Sequence, residues 1–533
     1  MNRQTKIALG LLLGSFGLKI ILLALFPMVY GGDTVGRILH KDQIHFSVWL
    51  PGLQTLIYLA TRISDSLFFL RSIMALVSTL AAAALYEFSK KVYDRSTALW
   101  SLFFFLFSPI ALYLSLVPYQ EMLFLLFALL ALVLYGQETS LRRMLLSSLM
   151  LGLACLTRYE GWVLAVILSF AYLKDRFVSK TSWEGSLGRR VLHWSFGATL
   201  GLLLFGWAPI LVLLSGWYSA PEQNPHLLTA SAFETAPQFA AFYIAKMAVW
   251  SNPLLLLIIG ATVLVGHGQQ LVPPTLSGKN SLTIYLSFAF VIAFTVFLFV
   301  SDDSRYNSRF VFLPSIIVSL FIGRVASLIS PRVHSQNEVP FGFSAVVNRV
   351  FVRAFLLATI GIGIYPIPVI SGKPEIRTPY EVASFLNGRL TESDRALVLC
   401  QLWQDHPEIF PLDYTRLVAQ SNFDTTKILS PIRVRDVKNV EVFLRNSRIR
   451  YLIVFSNFWK EPKYLEDIRD YLQSHAEAFR TVQDWNEASI FEYAPLSLED
   501  SDLSRVASGD QRLCSEVDIR RMEVLDPLER YQL

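Results

Sequence analysis

The stretch Ala111 to Phe127, ALYLSLVPYQEMLFLLF, is almost wholly apolar, yet a carboxylate, Glu121, stands inside it with no cation nearby in sequence. A run of this kind belongs in a membrane, where an ionised carboxylate is costly unless it is paired or hydrated. The rest of the chain has the same character. Of its 533 residues 53% are hydrophobic and 13% aromatic, and the mean hydropathy is +0.44, well above an ordinary soluble domain. The composition predicts a polytopic α-helical membrane protein and gives no reason to expect a nucleic-acid partner.

Apolar runs of about 17 to 25 residues bounded by charge occur near 7–29, 66–89, 97–114, 120–136, 144–157 and 161–173. Others follow near 191–215, 239–265, 281–300, 310–329 and 354–371, about eleven in all. The pair 144–157 and 161–173 is short, and loop charge decides it. Arg142 and Arg143 precede it, and KDRFVSKTSWEGSLGRR (Lys174 to Arg190) follows it. Both belong in the cytoplasm under the positive-inside rule, so the chain crosses twice between them. With the N-terminus inside, the outer loops of this part hold only Arg37, Lys41, Arg62, Arg158, Arg305 and Arg309. The first span is too long for a signal-peptide core and reads as an uncleaved anchor.

Charge also divides the chain. Residues 1–371 carry 26 Lys/Arg and 15 Asp/Glu, whereas 372–533 carry 21 and 27. Eleven crossings put the second part outside. There, strand-like runs (ALVLCQLW, RYLIVFSNF, ASIFEYA) alternate with helical patterns (YEVASFLNGRL, VKNVEVFLRNSRI, YLEDIRDYLQSHAEAF), which predicts a small extracytoplasmic α/β domain over 372–495. The acidic tail 496–533 is expected to be loosely ordered. Cys155, Cys400 and Cys514 have no metal or redox spacing; only the last two can meet outside the membrane, and their pairing stays open. No P-loop, dinucleotide fingerprint or HExxH motif is present.

On this topology the polar groups that need an explanation gather at the outer face. YGGDTVGRILHKDQIHFSVWLPG carries Asp33 just past the first span. Glu121 follows the breaks Ser108-Pro109 and Val117-Pro118. TRYEG carries Arg158, Tyr159 and Glu160, and SDDSRYNSRF carries Asp302, Asp303, Arg305 and Arg309. Glu121 is expected to find cationic partners distant in sequence. Arg158 and Glu160 also admit a plain reading as an ion pair closing a helical hairpin. Lys19 and Lys246, inside spans, read as snorkelling or paired within the bundle. His40, Asp42 and His45 leave the need for a divalent metal open, and no nucleotide site is required.

Arginine forks at the headgroup plane suit a lipid phosphate, and Arg158, Arg305 and Arg309 are so placed. An acid just above that plane can deprotonate an acceptor hydroxyl as it attacks a sugar carbon. The lipid phosphate then leaves without protonation, as an inverting displacement allows. Asp33 fits that base. A lipid or lipid-linked-sugar flippase is the rival reading, but such transporters commonly show repeats and place charge near the midplane.

These features resemble the GT-C glycosyltransferases, the multi-span enzymes that include protein O-mannosyltransferases and the bacterial aminoarabinose transferase of lipid A. The resemblance rests on GGDT (Asp33), VWLPG (Val48 to Gly52), VPYQEMLFLLF (Glu121), TRYEGW (Arg158 to Trp162) and RFVFLPSI (Arg309 to Ile316), and covers about residues 1–371. It implies a polyprenyl-phosphate-linked sugar donor, a protein, lipid or glycan acceptor, and transfer on the side opposite the cytoplasm, at a prokaryotic inner membrane. Carried onto this sequence, Asp33 is the base, and Glu121 with Tyr119 and Glu160 lines the substrate pocket. Arg158 with Arg305 or Arg309 holds the phosphate. Many relatives place two adjacent acids after the first span, whereas here Thr34 follows Asp33.

Overall fold

The computed structural model describes residues 3–27, a few positions between 34 and 44, 50–135, 141–168 apart from Tyr159, and 312–329. It also describes 343–399 apart from 373, 392 and 393, and the segments 428–429, 449–455, 472–485 and 488–493. Two compact units divide the chain. One comprises Met1–Pro27, Asp42–Ser64 and Phe68–Pro368, and the other Met28–Lys41, Asp65–Leu67 and Val369–Leu533.

In the first unit the described elements are helices: α1 Arg3–Leu25, α2 Pro51–Ile63, α3 Leu67–Val92, α4 Arg95–Leu106, α5 Pro109–Ser115, α6 Gln120–Tyr135 and α7 Leu141–Thr157. Residues 160–168 are helical, and α8 Phe312–Ile329, α9 Phe343–Ile364 and α10 Pro366–Ser371 follow. Among the described residues, Arg3–Leu25, Leu67–Val92 and Arg353–Ser371 are each long and apolar enough to cross a bilayer. The expected spans at 191–215, 239–265 and 281–300, with Lys246, lie outside the described residues.

Local chemistry explains where these helices end. α1 stops before Phe26-Pro27, because the residue preceding proline is disfavoured in the α region. The run read as one span over 97–114 is two helices, α4 and α5, bent by 64°. At the bend Ser108 accepts a hydrogen bond from Ala111 N at 3.3 Å and Pro109 takes the first helical turn, so a new N-terminus is built there. α2, inside the segment read as a loop, is amphipathic: it buries Leu53, Ile57 and Ala60 along one face.

Packing in this unit follows the polar exceptions. α6 lies along α7, and Ser147 Oγ donates to Ala131 O at 2.8 Å between them. α8 lies along α4, where Arg324 pairs with Asp94 at 2.8 Å and Thr97 bonds Ser327 at 2.9 Å. Lys19 does not snorkel. It is buried in α1 and donates to Ser78 Oγ at 2.7 Å and Thr79 Oγ1 at 3.3 Å on α3. Leu9, Leu13, Ile21 and Leu25 of α1 stay exposed, as a lipid-facing stripe would.

The second unit contains α11 Pro374–Asn387 and the strands β1 Arg395–Leu399, β2 Ile428–Leu429, β3 Ile449–Phe455, β4 Phe479–Asp484 and β5 Ala488–Tyr493. They form one sheet in the order β2-β1-β3-β5-β4, parallel from β2 to β3 and antiparallel through β5 and β4. Val382, Ala383 and Leu386 of α11 pack on Ala396, Val398, Tyr451, Ile453, Phe455 and Ile490, residues that share one face by the two-residue period of a strand. Three of the strands fall on the expected runs. β2 and β4 do not, and Phe479, read as the end of a helix, begins β4.

A charged rung crosses the sheet. Arg450 bonds Asp394 at 2.9 Å and Glu492 at 3.1 Å, and Arg480 also donates to Glu492. Arg480 first, against some burial and with help from Arg450, holds the Glu492 carboxyl below its ordinary value. Burial raises that of Asp394, but hydrogen bonds from Arg450 and Thr391 outweigh it, so the net shift is downward. A carboxylate depressed in the folded state stabilises the fold above its unfolded value, about 4. That contribution is lost as pH falls through the folded value. Hydrogen exchange of 449–455 and 488–493 in the full chain, corrected for intrinsic rates, should therefore quicken between pH 5 and about pH 3. A flat profile would deny the rung a stabilising role.

Candidate substrate site

Glu121 sits where α6 begins. The chain breaks at Val117-Pro118, Tyr119 N donates to Val117 O at 2.7 Å, and helix resumes at Gln120. The carboxylate therefore occupies the first helical turn, where the helix dipole favours negative charge. It is only 1% exposed. Its partner is Arg158, 37 residues away, whose Nη1 donates to Glu121 Oε1. Arg158 also grips Glu160 with two parallel bonds, Nε to Oε2 at 2.9 Å and Nη2 to Oε1 at 2.5 Å. Side-chain exposures are 7% for Arg158 and 12% for Glu160, so the whole cluster is withdrawn from solvent.

The corner that presents Arg158 is set by its own backbone. Arg158 N still bonds Ala154 O at 3.0 Å, Gly161 N closes on Arg158 O at 3.0 Å, and the Trp162 indole donates to Cys155 O at 2.9 Å. These bonds satisfy carbonyls that the end of α7 leaves open. Gly161 is needed for closeness: a Cβ there would stand 2.6 Å from the Ala154 carbonyl. Gly161→Ala is expected to lower stability by about 1–3 kcal/mol, read as a lower thermal midpoint in detergent. An unchanged midpoint would mean the corner opens freely.

The segment that follows the first span reaches the same corner. A Cβ on Gly52 would lie 2.6 Å from Thr157 Oγ1 and 2.8 Å from Leu156 O, so the N-terminal turn of α2 rests on the end of α7 beside Arg158. The glycine of VWLPG thus meets the threonine of TRYEG. Tyr119 is buried in the break before α6, its ring 6.4 Å from that of Tyr113.

The reading of the sequence missed one residue at this level. Arg71, on the first turns of α3, is 1% exposed and donates from Nε to Leu116 O at 2.7 Å and from Nη1 to Phe26 O at 3.0 Å. Leu116 caps α5 and Phe26 follows α1, so one guanidinium serves the carbonyl ends of two helices. A charge in the opening turn of an apolar span was its only signal.

Asp33, Tyr159, Arg305 and Arg309 lie outside the described residues, as do His40 and His45. Asp42 is described and pairs with Arg62 at 3.5 Å, both well exposed. No group of three or more His, Cys, Asp or Glu that could hold a metal occurs among the described residues.

Apolar helices with a buried acid–arginine–acid cluster at helix ends define a polytopic membrane protein. The sequence profile of the dolichyl-phosphate-mannose-protein mannosyltransferase family matches residues 51–209, a segment that contains the entire cluster. No curated protein matches by sequence. Among solved structures the chain is similar to ArnT from Cupriavidus metallidurans bound to undecaprenyl phosphate, with 12% identity, a TM-score of 0.56, and 92% of this chain and 98% of that one covered. The same protein in its apo state gives a TM-score of 0.54 at 12% identity and the same coverage. The apo oligosaccharyltransferase of Archaeoglobus fulgidus gives 0.45 at 12% identity, covering 84% and 69%. At such identities the likeness to ArnT shows the fold, and the chain has the membrane-embedded GT-C fold anticipated from its motifs.

Proposed function

We propose that this chain is a glycosyltransferase that moves a sugar from a polyprenyl-phosphate-linked donor to an acceptor on the extracytoplasmic face. The observation that carries the reading is the buried Glu121–Arg158–Glu160 cluster on a GT-C fold. A purely structural ion pair does not need two acids on one arginine, and burying such a set is unfavourable unless it serves something more than stability. ArnT of similar fold was crystallised with undecaprenyl phosphate, and the matching family profile is of proteins that use dolichyl-phosphate mannose. Both support a prenyl-phosphate donor.

In the reaction proposed, Asp33 accepts the proton of the acceptor hydroxyl as that oxygen attacks the anomeric carbon. The carbon–oxygen bond to the lipid phosphate breaks, the configuration inverts, and the phosphate leaves with the bonding pair. Arg305 or Arg309 stabilises the leaving phosphate; Arg158, read from the sequence as their companion in that role, is engaged by Glu121 and Glu160. Glu121, Glu160 and Tyr119 line the pocket. The acceptor is a protein, lipid or glycan of the envelope, at a prokaryotic inner membrane.

The test is transfer of labelled sugar from a panel of synthetic short-chain prenyl-phosphate sugars by the purified protein. Consumption of any donor with formation of the free prenyl phosphate upholds the reading. If no donor is consumed and labelled prenyl-phosphate sugars instead cross liposomes holding the protein, it is a transporter.

A further inference from the structure

One atom of the buried cluster is left over. Glu121 Oε1 takes Arg158 Nη1, but Glu121 Oε2, on a side chain 1% exposed, has no hydrogen-bond partner among the described residues. A buried carboxylate oxygen without a donor is a standing cost of folding unless something else supplies the donor. Arg158 cannot. Its Nε, Nη1 and Nη2 already point at carboxylate oxygens of Glu160 and Glu121.

Charge indicates what the missing group is. Two carboxylates around one guanidinium leave one net negative charge. A phosphate brought to this spot meets like charge and a guanidinium already occupied twice, so the cluster disfavours the anion that Arg158 alone would attract. A neutral hydroxyl suits it: it donates one hydrogen bond to Oε2 and brings no charge. The donor's sugar is the hydroxyl-rich group that sits next to the membrane, at the level where an apolar helix such as α6 begins.

We propose that Glu121 Oε2 accepts a hydrogen bond from a hydroxyl of the lipid-linked sugar, and that the Glu121–Arg158–Glu160 cluster reads the sugar and leaves its phosphate to other cations. Glu121 is then a specificity-determining residue, and Arg158 is the positioning residue that holds it. This rests on the glycosyltransferase reading and narrows it, because it separates sugar recognition from phosphate recognition. A site built to bond a hydroxyl discriminates strongly against the analogue that lacks it, since the carboxylate is then stranded.

The experiment measures dissociation constants of the full-length protein in nanodiscs for bare neryl phosphate and for its mannosyl, glucosyl and arabinosyl esters, on wild type and on Glu121→Gln. For the tightest ester, the series of single-deoxy sugars follows on wild type. At least one ester is expected to bind wild type about 10- to 100-fold more tightly than bare phosphate, the range of a hydrogen bond to a charged group. That advantage should vanish in Glu121→Gln, where an amide NH₂ faces the hydroxyl, and in one deoxy ester on wild type, while bare phosphate binds both proteins within about twofold. The deoxy series decides the matter even if Glu121→Gln fails to fold. An advantage that survives every deoxygenation overturns the proposal, as does a Glu121→Gln variant that loses bare phosphate and ester alike. If wild type binds neither bare phosphate nor any ester, the glycosyltransferase reading itself falls, an outcome distinct from binding that ignores Glu121.

Discussion

Asp33→Asn is expected to slow sugar transfer by about 10²- to 10⁴-fold, the range ascribed to a positioned general base, while donor binding changes little. The amide keeps the size and shape of the carboxylate, so insertion and folding should survive. What it removes is the proton acceptor. An acceptor hydroxyl that cannot shed its proton is a poor nucleophile, whereas the leaving phosphate needs no assistance from an acid, so the loss should appear in kcat and not in the donor KM. Single-turnover transfer with saturating labelled donor measures this directly. If Asp33→Asn transfers at the wild-type rate, the base is elsewhere, and Glu121 or Asp42 takes its place as candidate.

Arg158→Met should lower stability by about 3–5 kcal/mol, the usual consequence of leaving a buried charge without its partner. Two carboxylates lose their counter-charge at once, and Glu121 is almost wholly out of water. The compensating test is the triple variant Arg158→Met, Glu121→Gln, Glu160→Gln. Removing all three charges should restore most of the thermal midpoint in detergent, because a neutral site of the same volume carries no stranded charge. If the single variant melts with wild type, or the triple variant is no better than the single one, the cluster is not the buried electrostatic unit its geometry shows.

The opening question of a lone carboxylate in an apolar stretch was answerable in kind from the sequence. A distant cation was required on physical grounds, and Arg158 supplies it from 37 residues away. Loop charge placed TRYEG at the same face as Glu121 but left Arg158, Arg305 and Arg309 all as candidates, and the structure makes the choice. The Arg158–Glu160 pair was legible as the plain reading of TRYEG; that the same guanidinium also takes Glu121 was not, because that contact depends on how the corner at Gly161 folds. Arg71 was invisible for a different reason: its acceptors are backbone carbonyls, which carry no letter in a sequence. α2 was overlooked as loop because a 13-residue amphipathic helix is too short and too polar to register as a span, although Pro51 at its start was a fair sign. In the sheet, β3 and β5 were plain from their buried apolar runs, whereas β4 (FRTVQD) is largely polar and follows directly on a helical pattern. The bend at Ser108-Pro109 shows the reverse: the break was visible in the letters, and the 64° turn it produces was not.

Lys19 has an implication for how the protein is made. The hydroxyls that receive its ammonium, on Ser78 and Thr79, lie 59 and 60 residues later in the chain. At about 5–20 residues per second of synthesis, the first span emerges several seconds before its partners exist. A lysine deep in a lone span disfavours lateral release into lipid by up to about 2.5–3.5 kcal/mol. The first helix is therefore born half-finished, and its natural course is to linger at the insertion machinery until the third arrives, so that the two enter the bilayer as a pair.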